Sequence, residues 1–316
     1  MLHSALEIVS AFISRNRLSI LNYHQVLDLH DCMRPDEPTS QQFDWQMRLL
    51  AKYFNPISLN AAIEQLKEGT LARNSVCVTF DDGYLNNLTV AQPILEKYNI
   101  PATVFVASAF SDGTNMWNDR LIEFFRQIDL KEVDLSPLSL TIRENQKSAK
   151  ELANLAINAL KYLPVSERIA KIDELYSINR SIREPRLMMT PKELEVLHNK
   201  GVDIEAHTHR HPILKSLTPE ELGKEVAENK KLLLEWTGAK ITGFAYPNGK
   251  FGKDFDDTSI NAIRSLGFNY AVSTMPGIST PNSNFHSLCR FTPWDKTPLK
   301  FHIRLLINLL KGALGK

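Results

Sequence analysis

The sequence predicts an α/β fold built around a parallel sheet. Six short runs are rich in β-branched and aromatic residues and almost continuously apolar, which is typical of strands covered on both faces. They are separated by segments whose apolar residues recur at helical spacing, so strands and helices alternate along the chain. That alternation favours parallel strands joined by right-handed crossovers.

Helix signals lie between these strands. The segment 217–238 begins with Thr218 as an N-cap, carries Glu221 at the capping-box position and ends at Gly238, a residue type that commonly follows a helix. Segment 43–54 places its apolar residues on one side of a helix. The predicted strands are LSILNYH, SVCVTF, ATVFVA, VDIEAH, ITGFAY and FNYAVS, at residues 18–24, 75–80, 102–107, 202–207, 241–246 and 268–273.

One region departs from the alternation. From about residue 112 to 195 the pattern is mostly helical, with few strand signals. We interpret it as a helical insertion between two strands, with a small separate domain as the alternative. Because the polar motifs described below flank the insertion, we expect one domain over 1–316 with its core at about 18–295.

Composition and charge argue against several classes of protein. The chain of 316 residues is 43% hydrophobic, enough to bury a large core without cross-links. Its three cysteines show no CxxC spacing, so neither a disulfide framework nor a thiolate zinc site is expected. The formal net charge is +1 and no basic stretch is interleaved with aromatic residues, so no nucleic-acid partner is expected.

Both ends of the chain carry amphipathic patterns. The opening run lacks a basic start and contains Glu7, which predicts an amphipathic helix rather than a signal peptide, and a cytoplasmic protein. A second such helix is predicted over 298–314, either packed on the sheet or in peripheral contact with an anionic membrane. Its apolar face carries Phe301, Leu305, Leu306, Leu309 and Leu310, and its flanks carry Lys300, Arg304, Lys311 and Lys316.

Two adjacent carboxylates follow the second predicted strand. Asp81 and Asp82 precede Gly83, at the carboxyl end of a strand, where polar residues of parallel sheets face a site rather than the core. Two carboxylates buried side by side require a cation, a proton or ordered donors. The alternative is an acidic turn before a helix, because Asp-Gly is a common turn pair.

A histidine cluster follows the fourth predicted strand. The run HTHRH at 207–211 contains three of the nine histidines. Two neutral imidazoles and one carboxylate are typical of a site for zinc or another divalent metal with an open position. A solvated polar loop is the alternative, but the spacing after a buried strand favours the metal site. We therefore predict Asp82, His207 and His211 as ligands, with Asp81 as general base.

The two clusters together resemble a known family. TFDDG at 79–83 and HTHRH at 207–211 are similar to the first two motifs of the polysaccharide deacetylases, the carbohydrate esterase family 4 or NodB homology group. The resemblance implies the same roles for these side chains, with zinc as the expected divalent metal. It also implies a distorted (β/α) barrel, with its site at the carboxyl ends of the strands.

Two further family motifs are altered. In FAYPNGKFG at 244–252 the usual Arg is missing, and the Tyr246 N–H is expected to lie toward the oxyanion. Arg290 is the candidate to replace that Arg beside Asp81, a surface Arg being the alternative. The usual C-terminal strand ending in His is absent, whereas SILNYHQV at 19–26 resembles it, as in the circularly arranged branch that includes poly-N-acetylglucosamine deacetylases. His24 is then the expected general acid.

The resemblance implies a metal-dependent carbohydrate N-deacetylase. It would hydrolyse the N-acetyl amide of an aminosugar in a polysaccharide or in a lipid-linked glycan, and these are the expected partners. Two alternatives stay open. One is a deformylase or deacetylase of a lipid-linked monosaccharide, and the other is a glycan-binding module that keeps the fold without catalysis.

Overall fold

The computed structural model describes residues 2–129, 133–139 and 148–313. The described residues form a seven-stranded sheet, and all six predicted strands are present. The one additional strand, Asn55–Pro56, is two residues long and too short to produce a periodic pattern. The strands are β1 (Ser19–Tyr23), β2 (Asn55–Pro56), β3 (Ser75–Asp82), β4 (Ala102–Val106), β5 (Asp203–Ala206), β6 (Gly243–Ala245) and β7 (Tyr270–Val272).

The sheet runs β1, β3, β4, β5, β6, β7, with β2 paired to the start of β3. Every strand pairing is parallel. The segment 288–291 then joins the two edge strands, because Leu288 bridges Val272 of β7 and Phe291 bridges Leu21 of β1. The sheet therefore curls into the distorted (β/α) barrel that the sequence predicted.

The described residues also form eleven α-helices, of which eight belong to the same compact unit as the sheet. Thr218 and Glu221 form the predicted capping box, and Thr39 and Gln42 form another. None of the described helices combines the length and apolar character needed to cross a bilayer. The helices are α1 (Leu2–Ile13), α2 (Ser40–Tyr53), α3 (Leu59–Glu68), α4 (Gln92–Lys97), α5 (Trp117–Gln127), α6 (Ala149–Leu160), α7 (Val165–Ile178), α8 (Pro191–Asn199), α9 (Pro219–Thr237), α10 (Asp257–Ser265) and α11 (Pro298–Ala313).

The two faces of the sheet pack against different helices. Val78 and Val104 belong to a cluster that includes buried residues of α2, α8 and α9. Cys77 and Phe105, on the opposite face, belong to a cluster with buried residues of α3. Because both faces are covered, the strands carry apolar residues at nearly every position, as the sequence pattern indicated.

The described chain divides into two compact units. The first comprises Met1–Leu29, Asp36–Asp112 and Met189–Lys316, and it holds the whole sheet. The second comprises His30–Pro35 and Gly113–Met188. It contains α5, α6 and α7 and has an apolar core of its own, which includes Leu121, Phe124 and Ile172.

The observed boundaries differ from the predicted insertion of 112–195. Helix α8 lies in the first unit, where Leu194 and Leu197 join the core of the sheet. Conversely, Arg34 belongs to the second unit, because its guanidinium bonds Asp119 at 2.8 Å and Glu123 at 2.6 Å. The single domain expected over 1–316 stays a prediction, and residue 314, the expected end of the last helix, lies outside the described residues.

Candidate active site

Asp81 and Asp82 are the last two residues of β3 and lie opposite Phe105 and Val106 of β4. Both carboxylates are buried. Asp82 has a φ of 76°, in the left-handed region that non-glycine residues adopt mainly where the surrounding structure enforces it. Gly83 follows with a φ of 94°, so the strand turns sharply directly after the carboxylates.

His207 follows β5 with its ring held from behind. Its Nδ1 lies 2.7 Å from the carbonyl oxygen of Ala245. Because a carbonyl oxygen only accepts, Nδ1 must carry the proton, and Nε2 is then the ring nitrogen with a free lone pair. Such a bond to the distal nitrogen is the usual support of a metal-binding histidine.

His211 is placed by a short, strained loop. Its N–H donates to the Thr208 hydroxyl at 3.1 Å. Thr208 and His211 both have left-handed backbones, with φ of 65° and 54°, which positions at functional sites tolerate. Burial lowers the pKa of His211 to about 4, so its imidazole is neutral at neutral pH and able to act as a ligand.

These side chains converge on one carboxylate oxygen. The Oδ1 of Asp82 lies 3.4 Å from Nε2 of His207 and 3.5 Å from Nε2 of His211. The Oδ1 atom is buried and has no hydrogen-bond partner among the residues that the structure describes. Burial raises the pKa of Asp82, but His207, His211 and His24 outweigh burial and bring that pKa below its usual range. One ligand atom from each of the three residues lies within 4.8 Å of the others, so the set fits a divalent metal.

Asp81 is paired with Arg290. The guanidinium donates to Oδ1 at 2.7 Å and to Oδ2 at 2.6 Å, a bidentate geometry that fixes the carboxylate in orientation. Both side chains are almost fully buried. Burial raises the pKa of Asp81, but the charge of Arg290 opposes it and the net pKa is lowered. Arg290 therefore occupies the place beside Asp81 for which the sequence made it the candidate.

Arg290 reaches this position because its segment closes the barrel. Its Nε donates to the Ser273 carbonyl just beyond β7 at 2.8 Å, and Nη1 also donates to the Thr79 hydroxyl at 3.3 Å. The guanidinium is thus bonded on both sides of the closing segment 288–291. The sequence held no periodic signal for a segment this short.

His24 follows β1 and is half-buried. Burial lowers its pKa, but the charges of Asp82, Glu37 and Asp81 together raise it above its ordinary value. Its carbonyl oxygen accepts a hydrogen bond of 2.8 Å from the Asn87 side chain, which holds the backbone at the strand end. His24 therefore lies within electrostatic reach of the two carboxylates and favours its protonated form.

Tyr246 does not occupy the role that the sequence indicated. Its N–H donates to the Val272 carbonyl of β7 at 3.2 Å and is therefore used in the sheet. Its ring is buried and stacks on Phe255, and its hydroxyl donates to the His286 carbonyl at 2.9 Å. The expectation of a free oxyanion donor is corrected accordingly, because Tyr246 here belongs to the core.

Asn229 of α9 is a residue that sequence reasoning missed. Its Oδ1 accepts the His207 N–H at 3.1 Å, and its Nδ2 donates to the Val106 carbonyl and the Ser108 hydroxyl, both at 2.9 Å. A signal was present, because Asn229 stands at a position of the buried face of α9 that is otherwise apolar. A fully buried amide on such a face must have polar partners.

Comparisons with known proteins give the family of this chain. The model of the polysaccharide deacetylase family matches residues 68–271, well over half of the chain. This chain belongs to that family, whose members are carbohydrate deacetylases, hydrolases of amide bonds. The Bacillus subtilis (strain 168) protein YxkH, which is named as a polysaccharide deacetylase, is 21% identical over 274 residues, or 87% of this chain and 70% of its own length.

Solved structures show the same fold. The Streptococcus pyogenes deacetylase PplD, in complex with acetate, superimposes with a TM-score of 0.61 at 18% identity, over 93% of this chain and 98% of its own. IcaB from Ammonifex degensii gives 0.57 at 17%, over 93% and 97%. A de-N-acetylase from Aggregatibacter actinomycetemcomitans gives 0.58 at 16%, over 92% and 99%. The distorted barrel is therefore shared with deacetylases of distant sequence.

Proposed function

We propose that this chain is a metal-dependent N-deacetylase that releases acetate from an N-acetylated aminosugar of a glycan. The observation that carries the proposal is the position of the Asp81–Arg290 pair directly beside the cluster of Asp82, His207 and His211. Two adjacent residues of one strand thus have different partners, since Asp82 faces the two histidines and Asp81 faces the Arg290 guanidinium. Family membership supports the carbohydrate substrate class.

Asp82, His207 and His211 would hold the metal, for which zinc is the expected ion. When bound, it would polarise the amide carbonyl and lower the pKa of the attacking water. Asp81 is ionised at neutral pH because its pKa is lowered, so it can accept a proton from that water. Arg290 donates one hydrogen bond to each oxygen of the Asp81 carboxylate. Each oxygen therefore keeps a lone pair that can receive the proton.

His24 has the opposite task of giving a proton to the departing amine. Its raised pKa favours the imidazolium that a general acid requires at the start of the reaction. The carboxyl group is therefore ready as a base and the imidazole ready as an acid at the same pH. Environments that lower the pKa of one group and raise the pKa of another are typical of pairs of a general base and a general acid.

The proposal is tested with three single variants. Asp81→Asn removes the base but not the ligands, so we expect acetate release to be abolished while metal content is retained. His207→Ala should lose both. His209→Ala is the matched control, because this middle histidine contacts the Ser108 hydroxyl and not the cluster. Metal content by mass spectrometry and acetate release decide, and near-normal turnover of Asp81→Asn would refute the assignment of the base.

A lipid-linked aminosugar is a second candidate substrate, carrying either an acetyl or a formyl group. An exposed apolar surface on the two terminal helices, described below, supports it, as does the expected cytoplasmic location. Parallel assays of a lipid-linked aminosugar and a chitin oligomer separate the two substrates. Absence of both bound metal and released acid with every aminosugar would instead favour a glycan-binding module.

A further inference from the structure

The two terminal helices expose apolar side chains side by side. On α1 the exposed residues include Phe12, which is 76% accessible, and on α11 they include Ile307, at 44%. We call this surface the terminal apolar face. It is formed by Leu2, Ile8, Val9 and Phe12 of α1 and by Leu299, Ile303, Ile307 and Leu310 of α11.

Contacts along their length join the two helices. Nδ1 of His3 and Nδ1 of His302 lie 2.9 Å apart, and the Arg17 guanidinium, just after α1, donates to the Leu309 carbonyl at 3.1 Å. The helices therefore run side by side in the same direction. Both helices belong to the first unit.

The exposed residues are not the ones that pack α11. Phe301, Leu305, Leu306 and Leu309 are buried, and these are four of the five residues that the sequence assigned to its apolar face. Leu310, the fifth, is 38% accessible and lies with the exposed set. Helix α11 is therefore apolar on two sides, and packing accounts for only one of them.

Charge around the terminal apolar face is predominantly basic. Helix α11 contains no Asp or Glu, and α1 contains only Glu7. Arg15, just after α1, and Lys300, in the first turn of α11, are exposed. Asp295, just before α11, is buried against Arg304, so its charge is compensated.

An exposed Trp lies just before the start of α11. Trp294 is 54% accessible, and its ring lies 5.6 Å from the Arg304 guanidinium carbon. Trp with basic neighbours is typical of surfaces placed at the boundary between water and lipid.

We propose that the terminal apolar face docks on an anionic lipid surface, with α1 and α11 lying in the plane of the interface. Apolar side chains would enter the boundary between headgroups and acyl chains, and the basic residues would meet the anionic headgroups. This interaction surface goes beyond the deacetylase reaction and does not depend on it.

A second copy of the chain fits this surface less well. In a two-fold dimer the same patch meets itself, so each copy would bring the basic Arg15 and Lys300 to the interface, against Glu7 as the one acidic residue of the two helices. An anionic membrane supplies the missing charge. The expected electrostatic contribution at such a surface is a factor of about five in binding for each basic residue.

The proposal is tested by flotation of the full chain with vesicles. The wild-type protein should bind vesicles of phosphatidylcholine with phosphatidylglycerol and bind vesicles of phosphatidylcholine alone more weakly. Phe12→Glu and Ile307→Glu should each weaken binding about tenfold or more, the factor expected for burial of one large apolar side chain. Lys300→Glu should weaken binding to the anionic vesicles only.

Leu234→Glu is the matched control, because Leu234 is 51% exposed on α9, outside the terminal apolar face. It should bind vesicles as the wild type does. Acetate release from a soluble substrate and the melting temperature show that each variant is folded. Equal binding by Phe12→Glu and Leu234→Glu, or a dimer that Phe12→Glu dissociates without any vesicle binding, would overturn the proposal.

Discussion

At the scale of single residues, the site depends on side chains that hold other side chains. Asp81 is oriented by Arg290 through two hydrogen bonds, and His207 is oriented by the Ala245 carbonyl and by Asn229. Mutations of these positioning residues should therefore affect the reaction although none of them takes a proton from the substrate or the water.

Arg290→Lys should lower kcat by about a hundredfold, because an ammonium cannot make the bidentate pair that orients Asp81 and small displacements of a base are costly. Steady-state acetate release measures the loss. Arg304→Lys is the control, since Arg304 makes the same kind of pair with Asp295 away from the site. An unchanged kcat in Arg290→Lys would show that the pair does not orient the base.

Asn229→Ala should destabilise the protein by about 1–3 kcal/mol, because the buried His207 N–H and Val106 carbonyl lose their partner. It should also weaken metal binding, since the His207 backbone is no longer held. Denaturant unfolding and metal titration measure the two effects. Glu228→Ala, an exposed neighbour on the same helix, should change neither. Loss of stability with unchanged metal affinity would limit Asn229 to the fold.

The residues of the site differed in how far the sequence revealed them. Asp81, Asp82, His207 and His211 each come at or just after the end of a strand with a strong apolar pattern, so their convergence followed from strand direction. Arg290 was only a candidate, because its segment has no periodic signal. The Tyr246 N–H was misjudged, since its use in the sheet depends on the register of β6 against β7.

At the scale of secondary-structure elements, α1 and α11 meet at two stacked histidine rings, those of His3 and His302. His302 is buried beside His3 and contacts the rings of Tyr53 and Phe54. Burial, with the neighbouring His3, lowers the pKa of His302 to about 4. Since the folded pKa is depressed, the stabilising effect of the neutral ring is complete above the unfolded value of about 6.5.

The packing of α1 on α11 should therefore weaken as the pH falls from about 6.5 toward 4, where the unfolded chain binds more protons than the folded one. His302→Phe should suit the aromatic surroundings and remove this part of the pH dependence. Unfolding free energies measured at several pH values test the prediction. An identical pH profile in the variant would assign the acid sensitivity to other groups.

Elements were predicted well where local signals exist. The capping box of α9 and the six predicted strands follow from residue types and period. The assignment of His30–Pro35 to the second unit could not be predicted in this way. It depends on ion pairs of Arg34 with two carboxylates of α5, which are distant in sequence. Long-range ion pairs of this kind leave no periodic pattern.

At the scale of the whole molecule, the cluster of Asp82, His207 and His211 belongs entirely to the first unit, while the second unit has its own core. Metal that binds only the folded site should raise the stability of the first unit, by about 2.7 kcal/mol at a hundred times the Kd. Differential scanning calorimetry with zinc and with a chelator should show this shift.

His207→Ala should abolish the shift and His209→Ala should keep it. A rise that persisted in His207→Ala would place the stabilising metal elsewhere.

The fold class itself could be predicted from the alternation of strands and helices, whereas the closure of the barrel by 288–291 could be seen only in the three-dimensional structure. Closure rests on a few backbone hydrogen bonds between segments far apart in sequence, which residue types do not encode.

The closing segment also sets an order of events during synthesis. Asp81 and its partner are 209 residues apart in the chain, so at about 5–20 residues per second the ribosome releases Arg290 some 10–40 s after the carboxylate. Until then the Asp81 carboxylate, which is buried in the folded protein, lacks the Arg290 guanidinium as its partner. The barrel therefore cannot close around the Asp81–Arg290 pair before residue 290 has been synthesised.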